Sequence, residues 1–340
     1  MKEKRVTIDD VAKATGVSRQ TVSRAINNLA GISPITRERI LKTANEMGYR
    51  PSGIARGLAN ANQHTKTLGI VLPTIDNEFY SAILHGIEDH SSALGYNVFL
   101  CNTNEDPQEE FRKIQSLYSL WIDGLIICSS RLDDEQLLKI ADQFHPIVLI
   151  NRAFQHPTVG NVLVDDHSGT VHAVQHLIDQ GHTRIGMILG LEVSRSSQLR
   201  CQGYIDTMEQ KKLIIKPQWS IHSGAKINSG YLAARHLLTA SPELTAIVVY
   251  NDVRAAGVLR ACNDLNIGIP RDIAIVSHDN IALSSLLIPS LTTVDIPKYQ
   301  LGYQAITMMM SMLEDKNLQP DTINLSPNLI IRESSCIKNN

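Results

Sequence analysis

The stretch Thr7–Asn27, TIDDVAKATGVSRQTVSRAIN, decides how the N-terminal region folds. Thr7 can cap a helix whose third position, Asp10, points back at it, and Ile8, Val11 and Ala12 lie at helical spacing. Gly16 ends that helix in a tight turn. Ser18 caps a second helix, with Val22, Ala25 and Ile26 on one side and Arg19, Gln20, Ser23 and Arg24 on another. Two short helices joined by a glycine turn predict a helix-turn-helix. A third helix follows in GISPITRERILKTANEMGY (31–49), with Ser33 as cap, Pro34 in the first position and Gly48 as stop. Its stripe of Ile40, Leu41, Ala44 and Met47 can brace the other two. A plain three-helix bundle is the alternative reading.

The side chains of the second helix suit nucleic acid. Arginine bonds bidentately to guanine and glutamine to adenine in the major groove, while Ser and Thr hydroxyls suit phosphate oxygens. Charge points the same way. Residues 1–64 hold Lys2, Lys4, Arg5, Lys13, Arg19, Arg24, Arg37, Arg39, Lys42, Arg50 and Arg56 against only Glu3, Asp9, Asp10, Glu38 and Glu46, although the whole chain carries a formal charge of −2. A basic head on an acidic body implies a polyanion partner for the head alone.

After YRPS, the segment GIARGLANANQHTKT (53–67) offers under three turns of helix, broken by Gly53 and Gly57. So short a helix is marginal in water. It is expected to order only when bound, with a passive linker as the alternative. Beyond it, short apolar runs alternate with amphipathic segments. The runs begin at Leu68 (LGIVLP), Tyr96 (YNVFLC), Gly124 (GLIICS), Ile147 (IVLIN) and Asn161 (NVLVD), then at Ile185 (IGMILG), Ala246 (AIVVYND), Ile273 (IAIVSHD) and Leu291 (LTTVDI). Alternation of this kind predicts buried parallel strands covered by helices. Some nine strands are too many for one comfortable sheet, so two doubly wound lobes are expected. Ligands of such sheets bind beyond the carboxyl ends of the strands. The residues there are Thr74 to Tyr80, Asn151 with Arg152, Asp165, Ser194 to Arg200, Asn251 with Asp252, and Asp279 with Asn280. Carboxylates, amides, arginines and an aromatic ring together suit a polyhydroxylated ligand, although any one of them can equally be a cap.

Other classes find little support. No apolar run spans a bilayer, and no apolar stretch follows the N-terminal charges as an export signal would require, so a cytoplasmic location is expected. Five scattered cysteines read as reduced thiols. His172 and His176 stand four apart without further convergent ligands, so neither a metal nor any cofactor is indicated. Absence of GxSxG, P-loop, GxGxxG and HExxH patterns leaves an enzyme reading without a nucleophile and base.

VTIDDVAKATGVSRQTVSRAIN with GISPITRERI and MGYRPS, together with DGLIICSS, VLINR, LIDQGHTRIGMILG, RCQGY, AIVVYND, IPRDIAIVSHDN and PSLTTVDIP, resembles the lactose-repressor (LacI/GalR) family of bacterial regulators over nearly the whole chain. The resemblance implies an all-α helix-turn-helix head (1–50), a hinge (51–66) and an α/β body (67–340) of two periplasmic-binding-protein-like lobes. The N-lobe would comprise about 67–163 and 292–322, the C-lobe about 164–291 and 323–340. It implies a homodimer on a near-palindromic double-stranded DNA operator. Arg19, Gln20 and Arg24 would read base edges, Thr7, Ser18, Thr21 and Ser23 would hold phosphates, and Leu58, assisted by Ala55, would wedge into the minor groove. Phe79, Tyr80, Asn151, Ser194, Ser196, Arg200, Asn251 and Asp279 would contact a small-molecule effector: a sugar or sugar acid, with a purine corepressor or a protein coregulator as alternatives. Two departures are notable. Ala225 stands near where an aromatic ring is usual, and Ile296 where a polar side chain sometimes meets the ligand. The alternative of another class is a transport-type sugar-binding protein, which the basic head argues against.

Overall fold

The computed structural model describes residues 6–49, 65–144 and 146–336. The chain divides into two compact units, Met1–Thr67 with Leu117–Asp123, and Leu68–Ser116 with Gly124–Asn340.

In the first unit, α1 (Ile8–Thr15), α2 (Arg19–Ile26) and α3 (Pro34–Glu46) begin at the expected caps. Thr7 and Asp10 form a reciprocal capping box, while Ser18 accepts from the Thr21 amide and Ser33 from the Thr36 amide. Gly16 sits at φ 67° with nothing within 4 Å of where a Cβ would stand, so backbone conformation rather than space demands glycine there. Val11, Ala12, Val22, Ala25, Ile40 and Ala44 close the core. Leu41, expected on the inner stripe, is 45% exposed. Ile40 and Ala44, one turn apart, take the inner face and carry Leu41 away from it. Arg37 belongs to the architecture: its guanidinium donates to Asn28 Oδ1 (2.5 Å) and the Leu29 carbonyl (2.6 Å), tying α3 to the end of α2.

The second unit holds two six-stranded sheets. The first lobe starts with β1 (Thr67–Leu72), α4 (Glu78–Ala93), β2 (Asn97–Asn102), α5 (Pro107–Tyr118), β3 (Gly124–Cys128), α6 (Asp134–Gln143), β4 (Ile147–Ile150) and β5 (Val159–Val164). The chain then builds the second lobe from α7 (Asp166–Asp179), β6 (Ile185–Leu189), α8 (Arg195–Gln210), β7 (Ser220–His222), α9 (Ile227–Ala240), β8 (Ala246–Val249), α10 (Asp252–Asp264), β9 (Ala274–Asp279), α11 (Ala282–Leu286) and β10 (Thr292–Asp295). It returns to the first lobe as α12 (Lys298–Glu314) and β11 (Thr322–Leu325), and ends in the second sheet with β12 (Asn328–Ile330). Strand orders are β11-β5-β4-β3-β1-β2 and β12-β10-β9-β8-β6-β7.

All nine apolar runs are strands. Three more, β7, β11 and β12, have no long apolar run to announce them. Two expected boundaries move. Because β10 pairs with β9, Thr292 opposite Val276, the crossover expected near 292 lies after Asp295. Because β11 pairs in parallel with β5, Thr322 opposite Asn161, the first lobe extends through Leu325 rather than ending at 322. Burial of β1, β3, β4, β6, β8 and β9 is nearly complete, but β2 lies at a sheet edge and exposes Phe99 and Leu100. Among the described residues no helix is long and apolar enough to cross a membrane.

Candidate functional site

On the head, Val22 and Ala25 turn α2 inward, leaving Arg19, Gln20 and Arg24 exposed. Among the described residues Arg19 meets only Asp9, at 3.9 Å, an exposed pair of little energetic weight. Arg24 donates to the Ala30 carbonyl. Hydroxyls of the remaining candidates have structural partners: Ser18 with Thr21 (2.9 Å), Thr7 with Asp10 (2.6 Å), and Ser23 accepting from Asn27 Nδ2 (3.4 Å). Ala55 and Leu58 lie outside the described residues.

In the body, a cleft of about 750 Å³ opens between the lobes. Its walls come from the carboxyl ends of strands, as a doubly wound sheet requires. The first lobe supplies Thr74, Asp76, Asn77, Phe79 and Tyr80 beyond β1, Glu105 beyond β2, Ser129 and Arg131 beyond β3, and Asn151 beyond β4. The second supplies Ser194, Ser196 and Arg200 beyond β6, Ala225–Ser229 beyond β7, Tyr250, Asn251, Val253 and Arg254 beyond β8, and Asp279 at the end of β9. All eight side chains singled out in the body line this one cleft, and so does Ala225. Ile296 does not: it is buried in the core.

Several of the eight are already engaged. Phe79 and Tyr80 pack edge to face with centroids 5.1 Å apart, and burial pushes the Tyr80 phenol above its ordinary value. Ser194 caps α8 and bonds the Tyr250 hydroxyl at 3.1 Å. Asn251 caps α10. Arg200 is buried and held by Asp166 at 2.7 Å, by Asp279 at 3.6 Å and by the Tyr250 carbonyl. Burial pushes the Asp279 carboxyl up, opposed by Arg200 and Lys298. Behind it, Asp252 accepts from Thr293 Oγ1 (2.8 Å) and the Ile281 amide (2.9 Å), and burial with the neighbouring Asp279 charge moves its pKa up to about 7. Asn151 differs from the rest. It stands at φ 55°, and its buried Oδ1 has no hydrogen-bond partner among the described residues.

Sequence reasoning missed Glu105, Arg131, Tyr250 and Arg254. Arg131 lies three residues beyond its strand and pairs with Glu105 at 2.7 Å. Arg254 lies inside α10, one turn beyond the Asn251 cap. Helical spacing from that cap would have placed it on the cleft side, because position i+3 returns to the same face.

Residues 7–52 match the family model described as bacterial regulatory proteins, lacI family, and residues 174–335 match a periplasmic binding protein-like domain. HTH-type transcriptional repressor PurR of Haemophilus influenzae (strain PittEE) is 34% identical over 334 residues, covering 96% of this chain and 98% of that one. Catabolite control protein A of Priestia megaterium is 30% identical over 331 residues, covering 97% and 99%. Among solved structures, the lac repressor dimer bound to operator and the anti-inducer ONPF superposes with a TM-score of 0.81 at 25% identity over 98% of this chain and all of that one. The CelR–cellobiose complex gives 0.74 at 27% identity over 97% of this chain and all of that one. The chain belongs to the LacI family of bacterial transcriptional regulators. It is a ligand-responsive transcriptional repressor, neither an enzyme nor a transport-type binding protein.

Proposed function

We propose that this repressor reads a near-palindromic operator as a homodimer through α2, and that a polyhydroxylated small molecule in the interlobe cleft controls its affinity. The observation that carries the reading is the face of α2: it buries Val22 and Ala25 while leaving Arg19 and Gln20 exposed at the N-terminal end of the helix and Arg24 exposed in its last turn. Arg19 and Gln20 reach base edges, with Arg24 leaving the Ala30 carbonyl to join them. Thr7, Ser18, Thr21 and Ser23 offer phosphates the same hydroxyls that cap the helices. A central wedge by Leu58 and Ala55 completes the reading in the minor groove. Superposition on an operator-bound repressor dimer supports both the docking and the dimer.

For the effector, the cellobiose complex of one structural relative supports a sugar, and the cleft's carboxylates and amides suit hydroxyl groups. Similarity to repressors named PurR favours a purine as the second reading. Selection of operator DNA from a random duplex library tests the first half. Wild type is expected to enrich an inverted repeat, and Arg19→Ala to relax preference at one base pair of each half-site, at a cost of about 1–3 kcal/mol. Enrichment of the same consensus with undiminished affinity by Arg19→Ala would remove Arg19 from base recognition.

A further inference from the structure

Arg254 is buried in the cleft wall, 3% exposed, with no acidic partner in ion-pair range among the described residues. Its guanidinium donates only to neutral oxygens: Ser223 Oγ at 3.0 Å, Asn251 Oδ1 at 3.1 Å and, at 3.5 Å, the Ser223 carbonyl. The face of the Tyr250 ring lies 4.6 Å away. The other two cleft arginines are different. Arg131 has Glu105, and Arg200 has Asp166 and Asp279. Burying a cation without an ion pair is costly: burial holds the Arg254 pKa below that of an ordinary guanidinium, with Arg200 adding to the effect, although Tyr250 and the more distant carboxylates of Glu105 and Asp279 oppose it.

Two independent features stand around it. The N-terminus of α9 opens onto the cleft through Lys226–Ser229 and has no side-chain cap. That terminus is fixed beside Arg254, because a Cβ on Gly230 would stand 2.3 Å from the Arg254 carbonyl oxygen. The Ser229 and Gly230 amides bond the Lys226 carbonyl, so the Ile227 and Asn228 amides remain for a ligand, in the same lining as a guanidinium without an ion pair, an arrangement suited to an anion. On the opposite wall, the buried, unpartnered Asn151 Oδ1 requires a donor.

We propose that the effector is a polyol bearing an oxyanion, a sugar acid or sugar phosphate, with its anionic group seated between Arg254 and the N-terminus of α9 and a hydroxyl donated to Asn151 across the cleft. This deepens the reading of the protein as a ligand-responsive repressor and rests on it. Neutralising the buried guanidinium of the second-lobe wall while bonding to the first lobe, such a molecule binds tightest when the lobes are closed upon it.

The test is thermal unfolding and calorimetric titration of the full chain with hexuronates, aldonates, hexose phosphates, the corresponding neutral hexoses, and purine bases. A sugar carboxylate or phosphate is expected to raise Tm where its neutral parent does not, and the hit separates the two anionic sources. Arg254→Met is expected to weaken that ligand by about 10- to 100-fold, as loss of hydrogen bonds to a charged group does, with Arg254→Lys intermediate. Unliganded Arg254→Met should unfold no earlier than wild type, since an uncompensated buried charge is removed. A lower Tm for it would make Arg254 a structural residue and overturn the proposal. A neutral hexose or purine that binds wild type and Arg254→Met equally would overturn the oxyanion seat and leave the ligand-responsive reading intact. Failure of every compound to bind would count against both.

Discussion

Arg200 and Arg254 both stand over the Tyr250 ring, their guanidinium carbons 4.7 and 4.6 Å from its centroid, yet their surroundings give them opposite energetics. Arg200 neutralises Asp166, itself only 2% exposed, so removing the guanidinium strands a buried carboxylate. Arg200→Met is therefore expected to lower stability by about 3–5 kcal/mol. Urea unfolding measures this, and a loss below about 1 kcal/mol would show that Asp166 finds another partner. Sequence reasoning singled out Arg200 and passed over Arg254. Arg200 sits in a loop-to-helix stretch just past a strand, where inspection naturally falls, and its commitment to Asp166, thirty-four positions away in the chain, leaves no local trace. Arg254 lies a helical turn past the strand end, and what singles it out, a missing acid, is visible only when the whole wall is assembled.

Elements with strong local signals were legible, and those held by tertiary pairing were not. Thr7 with Asp10, Ser18, and Ser33 with Pro34 mark the head helices by caps that work within four residues. The buried strands announce themselves as apolar runs. By contrast, β7, β11 and β12 are three or four residues long and half exposed, and exist because a neighbouring edge offers them hydrogen bonds. Helix packing near the cleft is equally silent. A Cβ on Gly257 would approach the Ile227 carbonyl oxygen to 2.1 Å, the counterpart of Gly230 against Arg254, so α9 and α10 touch backbone to backbone. Gly230→Ala is expected to push them apart, costing about 1–3 kcal/mol, and to weaken effector binding by displacing the α9 terminus from Arg254. Paired Tm and titration measurements check this; an unchanged affinity in a destabilised variant would uncouple the helix contact from the cleft.

For the whole molecule, the division into a basic head and a two-lobed body was legible from charge asymmetry and strand–helix alternation, and all eight cleft positions assigned by resemblance share one lining. The crossovers were legible only to within a few residues. Where the chain leaves a lobe is set by when β10 and β11 finish their ladders with β9 and β5, a fact of pairing rather than of local sequence. Three crossovers join the lobes, with Lys298 at the second bonding the Asp279, Asn280 and Ile296 carbonyls. A ligand that binds one lobe arrangement better than another shifts the population between them, and coupling of about 1–3 kcal/mol changes operator affinity roughly 5- to 150-fold. The most direct test is therefore the operator dissociation constant of the full chain, on its selected operator, with and without a compound that raises its Tm. The expected result is a change within that range that fails to appear in Arg254→Met at the same ligand concentration. A compound that binds the cleft tightly and leaves operator affinity unchanged would contradict it.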